Sequence, residues 1–220
     1  MQNLYGVIVS FIFIAVVIVS SKMFENVSKE ASRKFIHIIL CNWWIIAMIF
    51  FQSPIWACIV PAIFVVINYV SYKYNIISPM ERDSEEEKKQ DGLGTVYYAV
   101  SLLVLAFITF GPLKNPAIGL VGILVMGYGD GFAAIVGKSI KSKEYQLAGA
   151  KKTLAGSAAM FIISFIIIYT FLVYSGVDHY FLKGVLIAVM ATLAEAIGIK
   201  GTDNLTVPLL TSFMVSLFLV

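Results

Sequence analysis

Three carboxylates stand in or beside long apolar stretches of this 220-residue chain. Asp130 lies within the glycine-rich stretch 126–137, Glu195 lies within a later apolar stretch, and Asp203 belongs to the polar segment 200–208. An ionised carboxylate in apolar surroundings needs a partner or a metal ion. We therefore expect all three to be catalytic, with Asp130 and Asp203 as Mg²⁺ ligands. Two structural interpretations stay open: Asp130 bonds a neighbouring helix between closely packed glycines, and Asp203 caps a helix.

Lysine residues provide the opposite charge. Lys151 and Lys152 stand in the segment 149–157, which leads from a basic stretch into an apolar one. Their ammonium groups and the free backbone donors of a helix N-terminus are expected to form one anion site. The segment is not a P-loop, because Lys151 occupies the position of the required glycine. The alternative is that both lysines only mark the inner side of a membrane.

A further basic group opens the second apolar stretch of the chain. Arg33, Lys34 and His37 follow one another there at near-helical spacing. Such a group is suited to a phosphate or a lipid headgroup, and a purely structural role is equally compatible with it. Cys41 and Cys58 lie inside apolar stretches, so we expect them to behave as small buried hydrophobic residues.

The elements that position these residues are predicted to be membrane-spanning helices. Hydrophobic residues make up 60% of the chain and charged residues only 13%, a composition unlike that of a soluble domain. A helix needs about 20 apolar residues to cross a bilayer. We therefore expect one all-α integral membrane domain over residues 1–220, a polytopic bundle of about eight spans. The predicted spans are 4–19, 36–51, 55–72, 96–110, 117–136, 154–174, 181–199 and 205–220.

The distribution of cations predicts the orientation. Of the 16 lysine and arginine residues, all except Lys114 and Lys183 fall in the odd-numbered connections. The positive-inside rule places those connections in the cytoplasm and both termini outside. A charged cytoplasmic loop is expected at about 73–95, and its segment 78–91 is expected to be solvated and without a chemical role. All the candidate groups then share the cytoplasmic face, where carboxylates, cations and glycines together indicate phosphoryl transfer.

The order and spacing of these residues resemble the CTP-dependent polyprenol kinases, a family that includes dolichol kinase, phytol kinase and the CTP-using diacylglycerol kinase. The resemblance covers most of the chain. It implies transfer of the γ-phosphoryl group of CTP to a lipid alcohol, with Mg²⁺ as the metal ion. The matching residues are Arg33, Lys34 and His37; Gly94, Thr95 and Tyr98; Gly129, Asp130, Ala133 and Gly137; Lys152, Thr153, Gly156 and Ser157; and Glu195 with 203–208.

The resemblance also implies roles for individual residues. The nucleotide-binding region is expected at about 126–157, through Gly129, Asp130, Ala133, Gly137, Lys151, Lys152, Thr153, Gly156 and Ser157. The substrate or its phosphate is assigned to Arg33, Lys34, His37 and Asn204. Catalysis is assigned to Asp130, Lys152, Glu195 and Asp203, and either Asp203 or Glu195 receives the proton of the alcohol.

Two positions depart from the family pattern. Ala155 stands where dolichol kinases usually have a glutamate, and Lys141 stands where a glycine is often found. The first departure favours the branch that acts on phytol and other isoprenoid alcohols.

The expected partners are a lipid alcohol in the bilayer and CTP from the cytosol, without nucleic acid, and a homo-oligomer is left open. The membrane is the plasma membrane if the source is a prokaryote. Two alternative functions stay open: a CTP-dependent cytidylyltransferase acting on a lipid phosphate and, from another class, a small-solute transporter.

Overall fold

A computed structural model describes residues 1–25, 29–74, 93–147 and 150–219, so most of the predicted charged loop 73–95 lies outside the described residues. Those residues form ten α-helices, one π-helical segment and one β-hairpin. In chain order they are α1 (Gln2–Glu25), α2 (Lys29–Leu40), α3 (Trp43–Phe50), α4 (Pro54–Tyr74), α5 (Gly94–Phe110), α6 (Pro116–Leu124), the π-segment (Val125–Asp130), α7 (Gly131–Ser139), β1 (Glu144–Leu147), β2 (Ala150–Thr153), α8 (Leu154–Tyr174), α9 (Tyr180–Ile197) and α10 (Asp203–Ser216).

Six helical stretches in the described part of the chain are long and apolar enough to cross a membrane. They are Gln2–Phe24, Ala31–Phe50, Pro54–Tyr74, Pro116–Ser139, Leu154–Tyr174 and Tyr180–Ile197. This confirms the prediction of a polytopic helical membrane protein. The predicted spans 96–110 and 205–220 fall on α5, with 17 residues, and α10, with 14 residues. The count of eight spans and the outer position of both termini stay predictions.

The stretch made of α6, the π-segment and α7 runs through the middle of the bundle. Of its apolar window, 67% is buried inside the protein, against 17% to 39% for the other five candidate spans. Glycines permit this position because they let other helices approach the backbone closely. A side chain added at Gly127 would overlap Cys41, and one added at Gly131 would overlap Ile38. The second half of α2 therefore packs directly on this central helix.

The second candidate span is interrupted. The helix α2 ends at Leu40, and α3 begins at Trp43. The fully buried Trp44 ties α3 to the central helix, because its indole Nε1 donates a 2.9 Å hydrogen bond to the carbonyl oxygen of Pro116. The break separates α3 from α2, which carries the basic group that the sequence indicated.

The β-hairpin was not predicted. Strands β1 and β2 pair antiparallel, with Glu144 opposite Thr153 and Leu147 opposite Ala150. The backbone N–H of Leu154 donates a 3.1 Å hydrogen bond to the carbonyl of Lys143, so the hairpin ends where α8 begins. Strands of four residues are too short for a recognisable alternation of apolar and polar residues. The all-α prediction holds for the bundle, and the hairpin is an addition to it.

Candidate active site

Asp130 is held by a lysine from a distant part of the chain. Asp130 ends the π-segment, and Lys34 belongs to α2. The Lys34 Nζ donates a 2.8 Å hydrogen bond to Asp130 Oδ2. Only 8% of the surface of Lys34 and 9% of that of Asp130 are exposed. Two charges removed from water in this way are tolerable only because each neutralises the other.

His37 stands beside this pair, one helical turn after Lys34 on α2. Its Nε2 lies 3.3 Å from the same Oδ2 of Asp130 but makes no hydrogen bond, because the atoms are not aligned for one. The imidazole packs edge-on against the ring of Tyr98 in α5, with 5.1 Å between the ring centroids. The Asp130 carboxylate therefore faces two side chains from one face of α2.

The π-segment widens the helix just before Asp130. Glycine has a low helix preference, and both Gly127 and Gly129 lie in this segment. The helix continues rather than breaks, because the backbone N–H of Gly131 bonds to the carbonyls of Gly127 and Tyr128. π-helical turns occur frequently at functional sites. Here the wider turn sets the position of the buried carboxylate.

Lys152 brings two other carboxylates together. Its Nζ forms an ion pair with Oε1 of Glu195 and lies 3.8 Å from Oδ2 of Asp203. Glu195 lies in the last turn of α9 and is only 3% exposed, and Asp203 is the first residue of α10. The short connection between α9 and α10 thus places both acids beside the end of β2. Below, Lys34, Asp130, Lys152, Glu195 and Asp203 are called the charged cluster.

The charge of Lys152 is controlled by its neighbours. Burial disfavours its ammonium form, but the carboxylates of Glu195 and Asp203 outweigh burial and raise the pKa of Lys152 above its ordinary value. Asp130 contributes to the same shift in pKa. Lys152 is therefore a cation. The pair of Lys34 and Asp130 and the group of Lys152, Glu195 and Asp203 are close enough for their charges to influence one another.

Several predicted nucleotide-binding residues surround the start of α8. The Thr153 Oγ1 accepts a 3.1 Å hydrogen bond from the backbone N–H of Gly156 and so caps the helix. Gly137 and Gly156 let α7 and α8 approach closely, because a Cβ built on Gly137 would lie 3.5 Å from the Cα of Gly156. The hydroxyl of Ser157 contacts the hydroxyl of Tyr145 in β1. These residues fix the helix end that adjoins Lys152.

Other predicted residues lie outside the charged cluster. Lys151 is exposed on β2, and Arg33 is half-buried on α2. Gly129 packs against α8, since a Cβ built there would lie 2.6 Å from Sδ of Met160. Ala133 is buried in the packing of α7. Asn204 donates a 3.2 Å hydrogen bond from Nδ2 to the carbonyl of Gly94, so it joins α10 to α5.

Sequence reasoning missed two side chains near the start of α8. The Ser142 Oγ accepts a 3.1 Å hydrogen bond from the backbone N–H of Ala155, and Tyr145 contacts Ser157. Both belong to the hairpin region, which gave no signal in the sequence. Tyr98 was part of a matching motif but had been assigned no role.

Several oxygen atoms of the site are of the kind that a divalent cation binds. The Oε2 of Glu195 and the Oδ1 of Asn204 are buried and have no hydrogen-bond partner among the described residues. With the carboxylates of Asp130 and Asp203, they are the hard oxygen ligands that Mg²⁺ prefers. In the four described ranges, no three or more His, Cys, Asp or Glu side chains are grouped so that they could hold a metal ion by themselves. A cation here would therefore take further ligands from a bound molecule.

Comparison with curated proteins places the chain in a family. Over 214 residues it is 30% identical to the phytol kinase of Synechocystis, and the aligned region covers 90% of this chain and 84% of that protein. This chain belongs to the phytol kinase family. It is also 30% identical to a probable chloroplastic phytol kinase of Triticum aestivum and 27% identical to phytol kinase 1 of Arabidopsis thaliana. Each of these alignments covers 84% of this chain, and they cover 66% and 65% of the plant proteins.

Family membership confirms the resemblance that the sequence motifs indicated. No protein-family model and no solved structure matches the chain. In this member of the phytol kinase family, residues from four separate motifs form the charged cluster. The matching Gly137 and Gly156 supply the close helix contact beside it.

Proposed function

We propose that the protein is a membrane-embedded kinase that transfers the γ-phosphoryl group of CTP to an isoprenoid alcohol of the phytol or polyprenol type. The observation that carries this proposal is the buried charged cluster in a member of the phytol kinase family. Phosphoryl transfer requires mainly positioning and charge neutralisation, and no nucleophilic side chain. Ala155 and the relative named phytol kinase in Synechocystis support an isoprenoid alcohol as the acceptor.

The cluster supplies groups for both the metal ion and the nucleotide. Asp130 and Asp203 would hold Mg²⁺, which would neutralise charge on the phosphate oxygens during transfer. The partly buried Lys152 would bind the phosphates of CTP. Lys151 is exposed on the opposite face of β2, so we propose that it attracts the anionic nucleotide by its charge. Because Lys152 is paired with Glu195, a phosphate bound by Lys152 would replace this carboxylate contact.

Glu195 is the residue that we assign to the proton of the alcohol. Its Oε2 is buried and has no hydrogen-bond partner within the described ranges, whereas Oδ1 of Asp203 already accepts a 3.1 Å hydrogen bond from the backbone N–H of Asn204. The alcohol oxygen forms a bond to the γ-phosphorus, and the bond from that phosphorus to the bridging oxygen breaks. CDP leaves with the electron pair, and the alcohol proton passes to Glu195.

The proposal places this chemistry at the cytoplasmic ends of the helices. The excess of lysine and arginine in the odd-numbered connections supports this orientation. CTP would then arrive from the cytosol, while the tail of the alcohol stays in the lipid.

The test is a transfer assay with the purified protein in lipid nanodiscs. The donor is γ-labelled CTP or ATP with Mg²⁺, and the acceptors are phytol, farnesol, a long polyprenol and diacylglycerol. We expect label from CTP in the organic phase with an isoprenoid alcohol, together with release of CDP. Release of pyrophosphate would support a cytidylyltransferase instead, and no labelled lipid with any acceptor would contradict the proposal.

A matched pair of lysine variants shows whether the activity depends on the charged cluster. Lys152→Gln should lose most of the transfer at CTP concentrations near the KM of the unaltered protein. Lys183→Gln should keep it, because Lys183 lies in the first turn of α9, at the opposite end of that helix from Glu195.

A further inference from the structure

Each carboxylate of the charged cluster lies beside a lysine. The ammonium of Lys34 donates a 2.8 Å hydrogen bond to Oδ2 of Asp130. The ammonium of Lys152 pairs with Glu195 and lies 3.8 Å from Oδ2 of Asp203. Burial, followed by the charge of Asp130, raises the pKa of Asp203 above its ordinary value, and the charges of Lys152 and Lys34 oppose this shift. Both lysines therefore act on the same group of acids.

Lys34 holds the position that a cation would take at Asp130. Its Nζ lies at hydrogen-bonding distance from Oδ2, and both residues are buried, so salt and water screen their charges little. A cation bound to the other oxygen, Oδ1, would share one carboxylate with the Lys34 ammonium. Two positive charges so close together repel each other strongly in a buried site. A divalent cation can therefore bind Asp130 well only if the Lys34 ammonium moves away.

A phosphate group can draw the Lys34 ammonium away from Asp130. Lysine carries its charge on a flexible four-carbon stem, so the ammonium can move from a carboxylate to a phosphate oxygen while the backbone of α2 stays in place. The same phosphates would supply oxygen ligands that the acids lack, because the acids grouped in the described ranges are too few to hold a metal ion. A nucleotide thus removes the competing charge and adds ligands at the same time.

We propose that Lys34 excludes a free divalent cation from Asp130, so that the cation enters the charged cluster only together with the nucleotide, whose phosphates take over the Lys34 ammonium. This inference rests on the proposed function and adds to it a residue that controls cation binding. Two ligands that depend on each other in this way are coupled, and each raises the affinity of the protein for the other.

Binding of Mn²⁺, used as a probe for Mg²⁺, is the direct test and needs no phosphoryl transfer. Equilibrium dialysis at neutral pH measures the manganese retained by the protein in nanodiscs of zwitterionic lipid. Without nucleotide, Lys34→Met should bind Mn²⁺ roughly tenfold or more tightly than the unaltered protein does. Lys34→Arg keeps the charge and should bind Mn²⁺ as weakly as the unaltered protein. The matched control is Lys143→Met, because Lys143 is exposed and the loss of its charge should change the affinity less than about twofold.

Three outcomes would overturn the inference. They are an equal affinity for Mn²⁺ in Lys34→Met and the unaltered protein, the same gain in Lys143→Met, and a gain that persists when Asp130→Asn is added to Lys34→Met. The unaltered protein gives a test that does not depend on the folding of any variant. It should bind Mn²⁺ roughly tenfold or more tightly with CTP than without it. Binding that is as tight without CTP as with it would contradict the inference.

The two proposals fail in different ways. An active kinase whose affinity for Mn²⁺ does not change in Lys34→Met would contradict the inference alone. A protein that transfers no phosphate, but gains affinity for Mn²⁺ when Lys34 is replaced, would contradict the proposed function alone.

Discussion

The Nζ of Lys34 lies 2.8 Å from Oδ2 of Asp130, although 96 residues separate the two in the sequence. The pair joins α2 to the central helix at the point where the π-segment ends. Removing one member of a buried pair leaves an uncompensated charge, which is more damaging than removing both. The contribution of Asp130 to folding can therefore be separated from its contribution to chemistry.

Asp130→Asn should abolish transfer and also destabilise the protein by about 3 kcal/mol, because the Lys34 ammonium loses its counter-charge. Adding Lys34→Met should restore much of the lost stability without restoring activity. Thermal unfolding of the single and double variants, measured beside the transfer assay, tests both statements. The control is Asp178→Asn, because Asp178 is exposed in the turn before α9. Activity in the double variant would show that Asp130 is not needed for the reaction.

Variants of Glu195 and Lys152 should show different kinetic defects. Glu195→Gln removes the proposed proton acceptor and should lower kcat by roughly 10²- to 10⁴-fold, with a smaller change in the KM for CTP. Lys152→Gln removes a proposed phosphate ligand and should mainly raise the KM for CTP. Steady-state kinetics with varied CTP distinguish the two. A normal kcat for Glu195→Gln would show that Glu195 is not the proton acceptor and would favour Asp203 instead.

Gly137→Ala should reduce activity through a change in packing. The substitution changes no charge, so any effect comes from the added methyl group. The added Cβ would lie 2.7 Å from Oγ1 of Thr153, the atom that caps α8. Displacing this cap should cost about 1 kcal/mol of stability and move the end of β2 that carries Lys152. Gly184→Ala is the control, because its added Cβ would meet only the Phe165 ring, at 3.3 Å, and the backbone of Tyr169. Equal unfolding temperatures and activities for the two variants would contradict this prediction.

The predicted orientation implies which engineered cysteines react from outside the cell. Lys143 and Asp178 are both exposed, and they lie in connections predicted to be on opposite sides of the membrane. A membrane-impermeant maleimide should label Asp178→Cys in intact cells and Lys143→Cys only after lysis. Background labelling should be low, because Cys41 is fully buried and Cys58 lies within α4. The reverse pattern would place the charged cluster at the outer face.

The sequence predicted membrane helices well where length and apolarity alone determine them. The predicted span 154–174 coincides with α8, because a long apolar stretch in a bilayer must satisfy its backbone as a helix. The pairing of individual charges could not be predicted, since it depends on how closely the glycines of the central helix let α2 approach.

The hairpin explains a second difference between the sequence prediction and the structure, which concerns Lys151 and Lys152. Lys151 and Lys152 were predicted to act as a pair at a helix N-terminus. They instead stand on β2, where successive side chains point to opposite faces. One lysine therefore joins the charged cluster and the other is exposed. The structure brings Glu195 and Asp203 to Lys152, although the strand that carries this lysine left no recognisable pattern in the sequence.

In the three lysine–acid pairs of the charged cluster, the lysine precedes its acid in the chain: Lys34 comes before Asp130, and Lys152 comes before Glu195 and Asp203. A protein is synthesised from its N-terminus, so each acidic residue leaves the ribosome after its counter-ion. During synthesis, each of these three carboxylates thus has its neutralising group already made. The order of the residues along the chain therefore favours formation of the charged cluster from the protein's own side chains.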